Sequence, residues 1–116
     1  MDKSRPRASA RRAGADALLL QVRAQSASLS RSACRNSVFP EDAYRRAHAA
    51  LLARSLDEHR VRDAVVLVAC AAETSLRLAP RVIERCGAAV AACQEREVRA
   101  LFWAAVRRMA PPRRGA

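Results

Sequence analysis

With 116 residues, 51% of them apolar but only 3% aromatic, the chain has material for one modest core and no more. Three glycines and many alanines favour closely packed helices over a sheet. The net charge is +11; no apolar run is long enough to span a membrane, and Leu18-Leu19-Leu20, behind a long polar lead, is too short for a secretory signal.

The charge is concentrated at the ends. Residues 1–12 carry Lys3, Arg5, Arg7, Arg11 and Arg12 against Asp2, and residues 107–116 carry Arg107, Arg108, Arg113 and Arg114 with no acid. Such arms attract phosphates, acidic protein surfaces or import receptors, or simply solvate an alanine-rich body. With Pro6 among polar residues, 1–13 reads as a disordered basic arm, and 110–116 as a matching tail. Arg5-Pro6-Arg7 with Arg11-Arg12 has the character of a nuclear import signal. The acid-poor, Arg- and Ser-rich start also resembles a mitochondrial presequence, which makes the mitochondrial matrix a minor alternative. Arginine outnumbers lysine 21 to 1, a bias that a GC-rich genome produces without functional demand.

The body, 14–109, reads as helices. A first one is expected from Ala15, with Leu18, Leu19, Val22 and Leu29 on one side, weakened by Ser26, Ser28, Ser30 and Ser32. Arg35–Phe39 reads as a linker. Pro40-Glu41-Asp42 then opens a second helix, with proline in the first turn and two acids against the positive end of the dipole. Tyr44, Ala47, Leu51, Leu52 and Leu56 face inward from it. Asp57-Glu58-His59 is either a break or a polar turn of continuing helix. Residues 61–79 are the most apolar segment, with 65–72 free of charge, and read as the central helix. From Pro80 to Met109 the residues Val82, Ile83, Cys86, Val90, Cys93, Val98, Leu101, Phe102, Ala105 and Met109 recur at helical spacing, predicting one long helix. Gly87 inside it costs about 1 kcal/mol against alanine and marks a close crossing. The sum is all-α: a three- or four-helix antiparallel bundle with disordered basic termini.

Candidate chemistry is sparse. Zinc ligands come in pairs two to four residues apart; Cys34, Cys70, Cys86 and Cys93 are separated by 36, 16 and 7, and His48 and His59 by eleven. The thiols therefore read as small apolar core residues. Cys86-x6-Cys93 resembles the cysteine helices of bacterial four-helix copper-storage proteins, but Ala89, Val90 and Ala92 stand where those would place further thiols. Copper binding is the remote alternative. There is no nucleophile elbow, phosphate loop or HExxH pattern, and no cofactor motif. Asp57, Glu58, His59 and Asp63 read as a solvated turn rather than an acid–base site. Nucleic-acid binding would rest on the basic arms alone, since no aromatic stacking platform occurs. Helix-mediated association remains. Phe102 and Trp103 point about 100° apart on a helix, so a core Phe102 leaves Trp103 partly exposed beside Leu101 or Val106. It is then either an interface anchor or a cap on the bundle.

Two stretches carry a family resemblance. Glu41-Asp42-Ala43-Tyr44-Arg45-Arg46-Ala47-His48-Ala49-Ala50-Leu51-Leu52, running into Leu56-Asp57-Glu58-His59-Arg60, resembles the second helix of a family of small herpesvirus tegument proteins. Gln94-Glu95-Arg96-Glu97-Val98-Arg99-Ala100-Leu101-Phe102-Trp103-Ala104-Ala105-Val106-Arg107-Arg108-Met109 resembles that family's last helix. The resemblance implies a non-enzymatic virion component between capsid and envelope, in the host nucleus and cytoplasm, that binds capsid or other virion proteins in a chaperone-like or stabilising role. It implies no catalytic residues. The expectation is thus a non-enzymatic assembly factor with Leu101, Trp103 and Val106 as docking residues. The alternative is a basic nucleic-acid-binding accessory protein.

Overall fold

The computed structural model describes the backbone of residues 5–109, and side chains at 13–35 and 37–109. Five helices follow one another: α1 (Arg5–Asn36), α2 (Pro40–Asp57), α3 (Val61–Glu73), α4 (Pro80–Ala91) and α5 (Arg96–Met109). No strand occurs among the described residues. None of the helices described is long and apolar enough to cross a membrane.

The all-α expectation is met, but with five helices instead of three or four. The backbone is already helical at Arg5, where an irregular arm was expected over 1–13. Pro6 then stands in the first turn, where its missing N–H interrupts nothing, and Ala and Arg are good helix formers. The side chains of Arg5, Arg7, Arg11 and Arg12, and all of 110–116 with Arg113 and Arg114, lie outside what the structure describes. At the other end α1 runs to Asn36, shortening the expected linker to 37–39.

Helix α3 occupies the centre and touches all four others. Its residues from Ala64 to Ala71 are buried without exception, as an uncharged run requires. In one core with it lie Leu18, Val22 and Leu29 of α1, Leu52 and Leu56 of α2, Cys86 and Val90 of α4, and Val98, Phe102 and Ala105 of α5; Ala33 is also buried. Leu19, expected inward, is 44% exposed because the buried stripe of α1 advances by four, seven and four residues and misses it.

Two turns end helices that the sequence left open or overran. After α2, His59 takes a left-handed conformation (φ 59°). Arg60 N–H then donates to Ser55 O (2.8 Å) and His59 N–H to Leu56 O (3.2 Å), a Schellman closure. This settles Asp57-Glu58-His59 as a break. After α3 the device recurs: Ser75 has φ 56°, and Leu76 N–H donates to Ala71 O at 2.9 Å. The central helix therefore stops at Glu73, and 76–79 have no helical structure.

The largest correction concerns Pro80–Met109. The chain leaves α4 after Ala91 and resumes as α5 at Arg96. One straight helix would hold Gly87 and Phe102 about 22 Å apart. Instead, a Cβ placed on Gly87 would lie 3.6 Å from Phe102 Cζ, so α5 folds back across α4. Folding back lets both apolar stripes reach α3 and buries Phe102 almost completely. A crossing was anticipated at Gly87, and α5 supplies it: the Phe102 ring lies over Gly87, at ordinary van der Waals distance from where a Cβ would stand.

Candidate binding surfaces

The residues anticipated as docking anchors separate on α5. Leu101 and Val106 are half-buried and pack against the core. Trp103 is 53% exposed, its ring meeting Phe102 edge-on at 5.0 Å between centroids. Leu101 also lines an open groove of about 360 Å³ between α1 and α5, with Ala15, Leu18, Leu19, Arg96, Glu97 and Ala100. Trp103 is on the same helix as Leu101 but does not line the groove. Sequence periodicity placed Leu19 in the core and so missed it as a groove residue. Arg107 and Arg108 are exposed in the last turn of α5, where positive charge complements the helix dipole.

A second pocket, of about 320 Å³, lies between α2, the α3–α4 connection and α4. Ala49, Leu52, Ala53, Leu56, Leu78 and Val82 supply apolar walls, and Arg45, Arg77, Arg81 and Arg85 stand around them. The inner wall includes His48, which the sequence offered only as an unsupported metal ligand. His48 is fully buried, and its Nε2–H donates to Leu67 O at 2.6 Å. That fixes the neutral tautomer with Nδ1 as acceptor, and Nδ1 has no partner among the described residues. Burial pushes the imidazole below its ordinary value of 6.5, with the bond to Leu67 opposing part of that effect. Tyr44 stacks against His48 at 6.3 Å.

The polar cluster at the α2–α3 turn is a lattice of exposed ion pairs: Arg54–Glu58 (3.4 Å), Arg60–Glu58 (3.3 Å) and Arg60–Asp63 (3.2 Å). His59 is exposed beside them. Exposed pairs of this kind contribute at most about 1 kcal/mol each.

The thiols do not converge. Cys70 and Cys86 are buried, Cys93 is half-buried past the end of α4, and Cys34 is exposed on α1. Burial, aided by the charge of Glu73, pushes the Cys70 thiol up to about 11, and burial pushes Cys86 up to about 11. Both are protonated at neutral pH, and Cys70 Sγ donates weakly to Val22 O at 3.4 Å. No group of three or more His, Cys, Asp or Glu among the described residues is placed to hold a metal ion. Cys86 and Cys93 do not share one helix as the copper resemblance requires.

The chain matches no family model, no curated protein and no solved structure. The tegument resemblance therefore stands on residues 41–60 and 94–109 alone. The first stretch covers α2 and its closing turn, and the second covers α5 with its lead-in. These two helices do not touch each other; both pack on α3.

Proposed function

We propose that the protein is a non-enzymatic helical module that binds another protein through the α1–α5 groove and Trp103. The observation that carries this reading is the exposure of Trp103 on α5, the helix that also forms one wall of an apolar groove exposing Leu19. A large aromatic left half in solvent on a rigid helix is the usual form of an interface anchor. Arg96 at the groove, with Arg99, Arg107 and Arg108 exposed along α5, favours a partner whose surface is apolar at its centre and acidic at its rim. The tegument resemblance supplies the class of partner: capsid or tegument proteins of a virion, met in the host nucleus and cytoplasm.

The test is affinity capture of the full-length protein from its native cells at moderate salt with nuclease present, comparing wild type with Trp103→Ala. Virion proteins should be recovered by wild type. Trp103→Ala should weaken their binding by about 2 kcal/mol, roughly thirtyfold, with melting unchanged. Partners that vanish on nuclease treatment, with a steep salt dependence, would replace this reading with nucleic-acid binding through the basic arms.

A further inference from the structure

Three arginines surround one apolar pocket with no acid to answer them. Arg45 of α2, Arg77 of the α3–α4 connection and Arg81 in the first turn of α4 border the second pocket. None of them forms an ion pair among the described residues. The fourth, Arg85, is held by Asp57 at 2.6 Å. No acidic side chain lines the pocket.

Two further features point the same way. The pocket lies at the N-terminus of α4, where Ala79 provides no side-chain cap and the first turn has no acid. The positive end of that helix dipole is therefore uncompensated at the place where the arginines gather. Beneath them the walls are apolar, and His48 is buried at the back with an unpartnered ring nitrogen. At about 320 Å³ the space falls within the roughly 300–1,000 Å³ of small-ligand sites, which join apolar walls to a few placed polar groups.

Guanidinium groups bind carboxylates in a planar, two-pronged geometry, and apolar walls favour a hydrocarbon body. A bare inorganic anion would leave those walls unfilled, and a neutral hydrocarbon would leave the arginines unanswered. From this convergence we infer that the α2–α4 pocket binds a small amphipathic carboxylate, its chain against Leu52, Leu56 and Val82 and its head among Arg45, Arg77 and Arg81. The site is separate from the α1–α5 groove and does not rest on the protein-binding reading.

The experiment titrates the full-length protein with sodium decanoate below its micellar concentration, following the methyl NMR signals of Leu52, Leu56 and Val82. Decanol and sodium acetate are titrated in parallel. Decanoate should bind saturably, about tenfold more tightly than decanol, and acetate should leave the methyl signals in place. The double variant Arg77→Ala/Arg81→Ala, at exposed positions, should melt as wild type does. It should bind decanoate about tenfold more weakly while binding decanol unchanged. Three results would overturn the inference: decanol binding as well as decanoate, undiminished decanoate affinity in the double variant, or shifts that never saturate.

Discussion

Gly87→Ala should stabilise the protein, and the geometry decides the sign. Glycine in the interior of α4, eight residues into a twelve-residue helix, costs about 0.8–1 kcal/mol relative to alanine through the entropy of the unfolded backbone. Against this stands any clash that the new methyl creates. The nearest atoms to it are Phe102 Cζ at 3.6 Å and Cε2 at 3.7 Å, both at ordinary van der Waals distance. The methyl therefore gains contact with a buried ring and needs no movement of α5. The expected gain is about 0.5–1 kcal/mol, which for a domain of this size raises the melting temperature by about 3–6 °C. Thermal unfolding followed by circular dichroism, supported by urea titration, measures it directly. A variant that melts lower than wild type would show that α4 and α5 cross more tightly than described, and the fold-back geometry would be wrong.

Other perturbations test the core and its titratable groups. Leu67→Asp places a carboxylate among buried apolar side chains at the centre of α3. The cost of several kcal/mol is a large part of a typical 5–15 kcal/mol stability, so helicity should collapse; a normally melting variant would refute the placement of α3. Burial lowers the His48 pKa in the folded state, so the unfolded chain takes up this proton first as pH falls. The stability that neutral His48 contributes is thus complete above about pH 6.5 and is lost as pH falls through the lower folded value. Urea titrations at pH 7 and pH 5 should show a larger loss in wild type than in His48→Gln; identical losses would contradict the assignment. Finally, a thiol reagent at mildly alkaline pH should label Cys34 quickly and Cys70 and Cys86 only on unfolding. Rapid labelling of all of them would mean that the core is open.

Where the sequence announced helix boundaries, it did so through residues with a local mechanism. Pro40 with Glu41 and Asp42 marks the start of α2, and Pro80 the start of α4. The uncharged run at 65–72 identified the buried centre of α3. The end of α4 carried no comparable mark. Ala92, Cys93, Gln94 and Glu95 contain neither proline nor glycine and all tolerate helix. The break there is imposed from outside: Phe102 gains burial against Gly87 and α3, and Glu95 meets Arg62 across the chain at 3.2 Å. Long-range packing of this kind overrides local propensity and leaves no local trace. The two Schellman turns were equally silent, because His59 and Ser75, rather than glycine, take the left-handed position. Trp103 was read as partly exposed from its angle to Phe102, a local relation that survives any tertiary arrangement. The arginine-ringed pocket was invisible because Arg45, Arg77 and Arg81 come from three separate elements.

The central position of α3 has a consequence for how the chain is made. Synthesis delivers α1 and α2 first, and they can cover two sides of α3 as it emerges. Its remaining flanks wait for Cys86 and Val90 of α4 and for Val98, Phe102 and Ala105 of α5, the last of the five described helices in chain order. A ribosome stalled before these residues therefore holds a nascent chain with its greasiest segment uncovered, a state prone to aggregation and a natural substrate for chaperones. Truncation ahead of Phe102 should thus be far more damaging than substitution of Trp103 or Arg107 on the exposed face of α5. A stop codon ahead of Phe102 is, in effect, a core mutation.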